Sequence, residues 1–527
     1  MQRLKTSFLF SRFFLIICAI SVIGLFFGVQ FIESSTNGKF DQLNNFFKVY
    51  RLVKENYPDE IEDDVLIEAA IEGMLSTLDP HSVYINKEDY KETEEDMDGE
   101  FEGIGVQFSI IDKYITVISP IIDGPADKAG IESGDKIIEI NGNSAYQITI
   151  PEVLKKLKGP KGTSVIITVQ RGNQEFKRTL IRDKIPLNSI PSYFMIDNQV
   201  GYIKLTKFSR KTFSEFKNAF NSLENKGMEK LLLDLRDNPG GLLDQSIEIL
   251  DMFISSNDTL LYTKGKIWGA NTAYEATFNR KDKSQIPIIT LINRGSASAS
   301  EIIAGTLQDL DRGYVVGETS FGKGSVQQAF DLDNETAARI TIAKFYTPSG
   351  RSIQRDYSSG DDKYYKDLAV IDRELSDSLK NILPKYKTKK GRIVYGGGGI
   401  HPDIFSQDTT SLSKATVDLI YNPDRIIFNY TESIKTDYKN INEYYMLKQK
   451  AENSIEFDNF INWLIIKEDN YNEEGLAKDW KYIKTRIIAE LANKTFSRKE
   501  FYRTMIMNDK TVLESLKYFD EAKKLLN

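Results

Sequence analysis

The stretch that decides the fold of this chain is residues 293–327, NRGSASASEIIAGTLQDLDRGYVVGETSFGKGSVQ. An apolar run typical of a buried strand, residues 286–292, precedes it, and residues 299–310 have the apolar spacing of a helix. The small residues between them predict a strand-to-helix turn that carries several serines. Free backbone N–H groups and the positive end of the helix dipole meet at such a turn, and both stabilise an oxyanion. This pattern predicts a serine nucleophile.

Few residues of the chain can serve as the base for such a serine. The two histidines, His81 and His401, each stand next to a proline in a turn-like string, which favours a structural role for both. Lys323 lies between two glycines, just before a strand-like segment. Lowering a lysine pKa from about 10.4 to about 7 costs about 4.6 kcal/mol, which burial alone can supply. A serine paired with Lys323 is therefore workable.

Four strings of the sequence resemble the carboxy-terminal processing peptidases, also called tail-specific proteases. They are NRGSASASE at 293–301, GETSFGKGSVQ at 317–327, DLRDNPGGLL at 234–243 and YTPSGRSIQ at 346–354. The resemblance extends over approximately residues 40–407. It implies a serine endopeptidase that cleaves proteins near their C-terminus and uses neither a metal nor another cofactor.

The resemblance also implies roles for individual residues. Ser298 is expected to be the nucleophile, Lys323 the general base and Gln327 the residue that orients the lysine. Asp309, in the helix after Ser298, is expected to support the site. The alternative for Asp309 is a solvated helix carboxylate.

The oxyanion hole is expected to consist of three backbone amides. Gly240 and Gly241 have no Cβ atom to keep a substrate carbonyl away from their N–H groups, and the N–H of Ala299 is expected to join them. The alternative for the two glycines is a plain left-handed turn.

Residues 99–183 consist of short strand-like segments and glycine turns, and this ordered series resembles a PDZ domain. Such domains bind a C-terminal carboxylate with loop amides and add the peptide to a sheet edge. The carboxylate loop is expected to consist of Gly103, Ile104, Gly105 and Val106. Residues 151–157 are predicted to form the helix beside the peptide groove.

The chain as a whole is predicted to be multidomain. Residues 184–407 alternate strands and helices, which predicts an α/β core with a largely parallel sheet. The resemblance implies that this is a peptidase core of the crotonase/Clp-like type. Residues 36–98 are predicted to be helical and unable to bury their apolar faces alone, and in the resembled family this region commonly mediates dimerisation. Residues 408–527 are predicted to be a helical extension of unknown role, whose charge runs are solvated.

Residues 1–35 are predicted to be a cytoplasmic tail and a membrane anchor. Residues 13–32 carry no charge and, at about 1.5 Å per residue, span a hydrocarbon core of about 30 Å. Arg3, Lys5 and Arg12 precede this run, so the N-terminus is expected in the cytoplasm and the bulk of the chain outside the inner membrane. A cleaved signal peptide is the alternative.

Composition and spacing exclude other classes of function. The formal net charge of −7 provides no basic field for nucleic acid, and a single cysteine excludes an intramolecular disulfide. Residues 317–323 approach a phosphate-binding loop, but Gly324 replaces the hydroxyl that would bind Mg²⁺. The remaining rival is a non-catalytic PDZ scaffold with a degenerate peptidase core.

Overall fold

The structure is a computed structural model that describes residues 41–526, apart from 256, 278–284, 334, 359, 367–373, 375, 408–410 and 468–470. The predicted membrane segment, residues 13–32, lies outside these described residues. None of the helices within the described ranges is long and apolar enough to cross a bilayer. The chain divides into two compact units, Met1–Leu78 and Asp79–Asn527.

The described part of the first unit consists of two helices, residues 41–56 and Asp63–Leu75. Both helices carry large apolar side chains that are exposed: Leu43, Phe46, Phe47, Val49, Leu52, Val65, Ile67 and Met74. A helix normally buries its apolar face against another element. This unit therefore presents an apolar surface.

The region predicted to be a PDZ domain folds around an antiparallel sheet. Its strands follow one another in the order Val106–Ile111, Tyr114–Pro120, Lys136–Ile140, Ser164–Arg171 and Gln174–Ile181, and the short strand Asn143–Ser144 pairs with Lys136–Ile140. Residues of two helices, Pro125–Lys128 and Ile150–Leu157, complete its apolar core. The strand Glu100–Gly103 pairs with Asp183–Pro186. Val106–Ile111 ends the sheet, so one edge of this strand has no partner strand in the described chain.

Residues 184–407 build the main sheet, whose six strands lie in the order Ser192–Met195, Val200–Lys204, Lys230–Asp234, Ile288–Ile292, Gly313–Gly317 and Ile404–Phe405. The first pair is antiparallel and the others are parallel, as predicted. The apolar runs of the central strands are buried on both faces, as parallel sheets require. Three helices pack on this sheet: Thr212–Glu224, Leu243–Asp251 and Ala299–Asp309.

A second sheet positions the segment that follows Lys323. Its strands lie in the order Val83–Ile85, Ala337–Tyr346, Thr259–Gly265 and Thr272–Glu275, and Ser325–Asp331 also pairs with Ala337–Tyr346. The helices Lys87–Asp98, Asp361–Lys366 and Asp377–Ile382 and the strand pair Lys385–Lys387 with Ile393–Tyr395 complete this part of the chain. Because Ser325–Asp331 is anchored in this sheet, the loop before it has a fixed end.

The C-terminal extension is helical, as predicted. Its helices are Lys414–Tyr421, Ile426–Ile434, Tyr444–Ser454, Phe457–Ile466, Glu473–Lys478, Trp480–Thr495, Arg498–Ile506, Lys510–Ser515 and Phe519–Lys524, with 3₁₀ turns at Lys435–Tyr438 and Leu516–Tyr518. Its charges are not all solvated, which corrects the prediction. The Lys494 side chain is buried, with Nζ 2.8 Å from Glu432 Oε2 and above the Phe428 ring.

The extension contacts both neighbouring regions. Phe519 and Val512 pack into one cluster with residues of the main sheet, and Phe428 is buried against Ile111 and Ile118 of the antiparallel sheet. It is therefore part of the compact body formed by the second unit.

Candidate active site

The Ser298 turn, residues 293–298, joins the buried strand Ile288–Ile292 to the helix Ala299–Asp309. The backbone of Ser298 has φ 54° and ψ −114°. A residue other than glycine in this region stores about 1–3 kcal/mol of strain, which the surroundings must hold. Strained strand-to-helix turns of this kind expose a reactive hydroxyl in known hydrolases.

A neighbouring turn, residues 237–241, holds the Ser298 turn in place. The Ala297 N–H donates to the Asn238 carbonyl at 3.0 Å, and the Ser300 hydroxyl donates to the same oxygen at 3.0 Å. The two turns follow adjacent parallel strands, so they meet at the carboxyl edge of the main sheet. This edge is where open α/β sheets bind their ligands.

The two glycines of the neighbouring turn lie close to the backbone around them. Gly240 has φ 98°, and a Cβ atom there would stand 2.7 Å from the Ser298 Cβ atom. Gly241 has φ 138°, and a Cβ atom there would stand 2.2 Å from the Phe208 carbonyl oxygen. Both positions therefore require glycine.

The predicted oxyanion donors need one correction. The Gly240 N–H donates to Asn238 Oδ1 at 2.9 Å, so this amide is already satisfied. The amides of Gly241 and Ala299 donate to no acceptor in the described chain. Two of the three predicted donors therefore have no acceptor in the described chain. Gly240 instead allows its backbone to lie close to Ser298.

Lys323 lies in the loop between the strands Gly313–Gly317 and Ser325–Asp331. Burial lowers the pKa of Lys323 to about 8, and the charge of Arg339 acts in the same direction. Among the residues that the structure describes, no hydrogen bond or ion pair reaches its Nζ atom. With this pKa about a tenth of the lysine is neutral at pH 7.

The carboxylate of Glu301 connects the Ser298 turn to the Lys323 loop. Its Oε2 atom accepts from the Ser298 N–H at 2.9 Å and from the Lys323 N–H at 2.8 Å. Its Oε1 atom accepts from the Gly322 N–H at 2.7 Å and from the Ser320 hydroxyl at 2.5 Å. The side chain is fully buried. The structure thus brings the backbones of the predicted nucleophile and base to one carboxylate oxygen.

His81 belongs to the surroundings of Lys323. The turn that holds it is built by Asp79, whose Oδ1 accepts from the N–H groups of His81 at 2.9 Å and Ser82 at 3.0 Å. The imidazole Nε2 lies 3.2 Å from the Tyr364 hydroxyl. Burial, and then the charge of Lys323, lower the pKa of His81 to about 4. The imidazole is therefore neutral at pH 7.

Gln327 is not joined to the lysine by a hydrogen bond in the described chain. Its Nε2 donates to the Ser325 hydroxyl at 2.7 Å and, at 3.3 Å, to that of Thr341. The orienting role expected for Gln327 stays a prediction.

Asp309 lies at the opposite end of the helix from Ser298, about 16 Å away at 1.5 Å per residue. Its Oδ1 is 2.8 Å from the Arg351 Nη2 atom, and both side chains are fully buried. The alternative of a solvated carboxylate is therefore wrong. Any support that Asp309 gives the site passes through the helix rather than by contact.

The predicted carboxylate loop, Gly103–Val106, is fixed by its carbonyl groups. Those of Ile104 and Gly105 accept from the N–H groups of Ala126 and Ile121, each at 2.9 Å. Gly105 has φ 75°, which suits glycine. The loop leads directly into the strand with the free edge.

Neither the role of Glu301 nor the proximity of His81 to Lys323 was predicted from the sequence. A signal for Glu301 was present, because Ser298-x-x-Glu301 has the spacing of a capping box. That spacing indicates only the bonds between Ser298 and Glu301. The proximity of His81 to Lys323 has no local signal, since 242 positions separate the two residues in the sequence.

Three models of known protein families match parts of this chain. A model described as peptidase family S41 matches residues 199–362, a PDZ domain model matches 116–171, and a model of the activating protease CtpB N-terminal domain matches 27–89. The carboxy-terminal-processing protease of Bartonella bacilliformis is 38% identical over 346 residues, which are 63% of this chain and 79% of that protein.

Two further relatives extend this similarity. The carboxy-terminal processing protease CtpA of Bacillus subtilis is 38% identical over 324 residues, which are 61% of this chain and 68% of that protein. A probable CtpA-like serine protease of Staphylococcus aureus (strain COL) is 32% identical over 467 residues, which are 88% of this chain and 89% of that protein.

The peptidase core and the PDZ domain define a serine-type peptidase that carries a PDZ domain. Within that class the chain belongs to the carboxy-terminal processing proteases of peptidase family S41. This membership favours the predicted enzyme over the non-catalytic scaffold.

Proposed function

We propose that Ser298 and Lys323 form the catalytic pair of this peptidase. The observation that carries the proposal is that their backbone N–H groups share Glu301 Oε2. The lowered pKa of Lys323, together with an Nζ atom that has no hydrogen-bond or ion-pair partner in the described chain, supports a base. A lysine paired with a carboxylate would instead keep its proton.

In the proposed reaction, neutral Lys323 takes the proton of the Ser298 hydroxyl while Oγ attacks the peptide carbonyl. The negative charge that develops on the carbonyl oxygen is stabilised by the amides of Gly241 and Ala299. Lys323 then gives its proton to the leaving amine, and an acyl-enzyme on Ser298 remains. Water, deprotonated by Lys323, hydrolyses this ester and restores the enzyme.

The pH dependence of kcat/KM tests which group is the base. If Lys323 is the base, kcat/KM for an unstructured peptide rises with pH up to a plateau above about pH 8, its pKa. If His81 is the base, its pKa of about 4 leaves the rate flat between pH 6 and 9. A kcat/KM profile that is flat between pH 6 and 9 would therefore reject Lys323 as the base.

We also propose that the PDZ domain captures the C-terminal tail of the substrate. The Gly103–Val106 loop and the free edge of the strand after it support this role. Replacing the terminal carboxylate of a peptide by an amide leaves the scissile bond unchanged. We expect the amide to be cleaved more slowly than the matched free acid at low substrate concentration. Equal rates would remove this role.

Location outside the inner membrane, with residues 13–32 as anchor, is a proposal from the sequence alone. Cells that produce the full chain test it. An anchored protein stays in the membrane fraction after alkaline carbonate and is digested by protease only when the outer face of the inner membrane is accessible. Release by carbonate would favour a cleaved signal peptide.

We propose that the first unit mediates contact between two copies of the chain. The exposed apolar side chains of its helices support this, since such surfaces usually mark an interface. Sedimentation should show a dimer for the chain from residue 41 onward, and a monomer when Phe47 is replaced by Glu. A wild-type monomer at micromolar concentration would contradict the proposal.

A further inference from the structure

Within the described chain, the buried carboxylate of Glu301 is bonded by donors only. Two backbone N–H groups bond its Oε2 atom, and one backbone N–H and one hydroxyl bond its Oε1 atom. A carboxylate can accept four such bonds, whereas a protonated carboxyl would turn its own O–H toward one of the donors. The arrangement is therefore built for the ionised form.

The two bonds on Oε2 link segments that are distant in the sequence. One donor is the residue that carries the proposed nucleophile, and the other carries the proposed base. A second link runs parallel to this one, because the Phe321 N–H donates to the Ser296 carbonyl at 2.9 Å. Glu301 is therefore not the sole connection between these two segments.

We propose that Glu301 is the positioning residue of the Ser298–Lys323 pair, and that only its ionised carboxylate holds the two backbones at the distance that the reaction needs. This inference rests on the proposed pair. The Glu301 carboxylate contacts neither substrate nor a reacting atom. It acts through the residues that it bonds.

Electrostatics makes this role dependent on pH. Burial raises the pKa of Glu301 to about 7, against the four donors that lower it. The charged or titratable groups around it are Lys323 and Tyr364, and around the lysine Arg339, Asp79 and His81. The competent site therefore has Glu301 ionised and Lys323 neutral.

Two required deprotonations leave a distinct mark on the rate. At pH values below both pKa values, log kcat/KM rises with a slope of two per pH unit. In Glu301→Gln only the lysine must lose a proton, so the slope falls to one. Because the Glu301 charge raises the pKa of Lys323, the rising limb should also move to lower pH. The plateau should fall about 10- to 100-fold, because in either orientation the amide N–H₂ faces at least one backbone N–H donor.

The experiment measures kcat/KM from pH 5.5 to 9.5 with a free-acid peptide for the wild type, Glu301→Gln and a matched control, Glu318→Gln. Glu318 is half-buried near Arg294 and Gln407 and makes no contact with the pair, so its variant should keep the slope of two and the plateau. Glu301→Asp keeps the charge but shortens the reach. It should keep the slope of two with a lowered plateau, and it carries the test if Glu301→Gln does not fold.

A wild-type profile in Glu301→Gln, or a wild-type plateau in Glu301→Asp, would overturn the inference. The proposed pair is tested separately by Lys323→Ala. An inactive Lys323→Ala with a wild-type profile in the Glu301 variants rejects the positioning role and leaves the pair intact. An active Lys323→Ala rejects the pair itself.

Discussion

The two ends of the helix Ala299–Asp309 each bury a carboxylate, and the two carboxylates are satisfied by different partners. Glu301, in the first turn, accepts from three backbone N–H groups and one hydroxyl. Asp309, the last residue, pairs with Arg351 at 2.8 Å and also accepts from the Thr347 hydroxyl and from a backbone N–H. One end is neutralised by a cation, and the other is not.

This difference separates the structural role of Asp309 from the titrating role of Glu301. A buried charge paired with a cation holds two segments together and resists any change of either partner. In the described chain no cation bonds the Glu301 carboxylate, and burial raises its pKa to about 7, which makes its charge adjustable near pH 7. The same helix therefore fixes the core at one end and sets up a titrating site at the other.

The largest expected effect lies at the Ser298 end. Replacing Lys323 by Ala should lower kcat by about 10⁴-fold or more, as loss of a catalytic base does in serine proteases, while the fold stays intact. His81→Gln is the matched control, because His81 is also titratable and lies near Lys323. It should stay within about tenfold of the wild type. The reverse result, an active lysine variant and an inactive histidine variant, would move the base to His81.

At the Asp309 end we expect a loss of stability instead of activity. Asp309→Ala leaves the Arg351 guanidinium buried without its carboxylate, which costs about 3–5 kcal/mol of unfolding free energy. Urea unfolding measures this loss. The kcat of the folded fraction at 25 °C should stay within about twofold. A low kcat with unchanged stability would show that the two ends are coupled more strongly than this comparison implies.

The sequence was most informative where the determinants are local. The strings around Ser298, Gly240 and Lys323 predicted the turns that the structure contains, because small residues and glycines encode turn geometry over a few positions. The largely parallel sheet also followed from local strand and helix patterns.

The sequence was least informative where side chains act across the fold. The Asn238 side chain accepts a hydrogen bond from the Gly240 N–H, and the sequence does not predict this bond. Three of the four bonds to Glu301 come from a loop that starts 19 residues later. The sequence predicts that Lys494 is solvated, yet its side chain is buried and pairs with Glu432 of another helix of the extension. Such contacts depend on tertiary packing, which spacing does not encode.

A smaller effect concerns how Glu301 changes stability with pH. Its pKa rises from 4.5 to about 7 on folding, so the folded protein binds an additional proton between these values. Its contribution to stability is therefore complete below about pH 4.5 and is lost as pH rises through about 7. A difference of about 2.5 pH units corresponds to about 3 kcal/mol.

Urea unfolding of the wild type and Glu301→Gln at pH 4.5 and pH 8 measures this contribution together with the coupled shift of Lys323, because every other residue is common to both proteins. From the lower to the higher pH, the wild type should lose about 3 kcal/mol relative to the variant. An unchanged difference between the two proteins would mean that the four donors, rather than burial, set the protonation of Glu301.

The smallest expected effects come from removing one hydroxyl at each end. Ser320→Ala removes a donor to Glu301 Oε1, and Thr347→Val removes a donor to Asp309 Oδ2. A hydrogen bond to a charged group contributes about 1.5–3 kcal/mol. If the ends differ as described, the same chemical change should have two different readouts.

At the Glu301 end, loss of the hydroxyl weakens the ionised form, so the pKa of Glu301 rises and the rising limb of kcat/KM moves to higher pH by about one unit. At the Asp309 end, Thr347→Val should lower the unfolding free energy by about 1.5–3 kcal/mol and leave the limb in place. Profiles from pH 5.5 to 9.5 and urea unfolding of both variants decide the matter. A limb that moves in Thr347→Val, or stays in Ser320→Ala, would remove the distinction between a titrating end and an anchoring end.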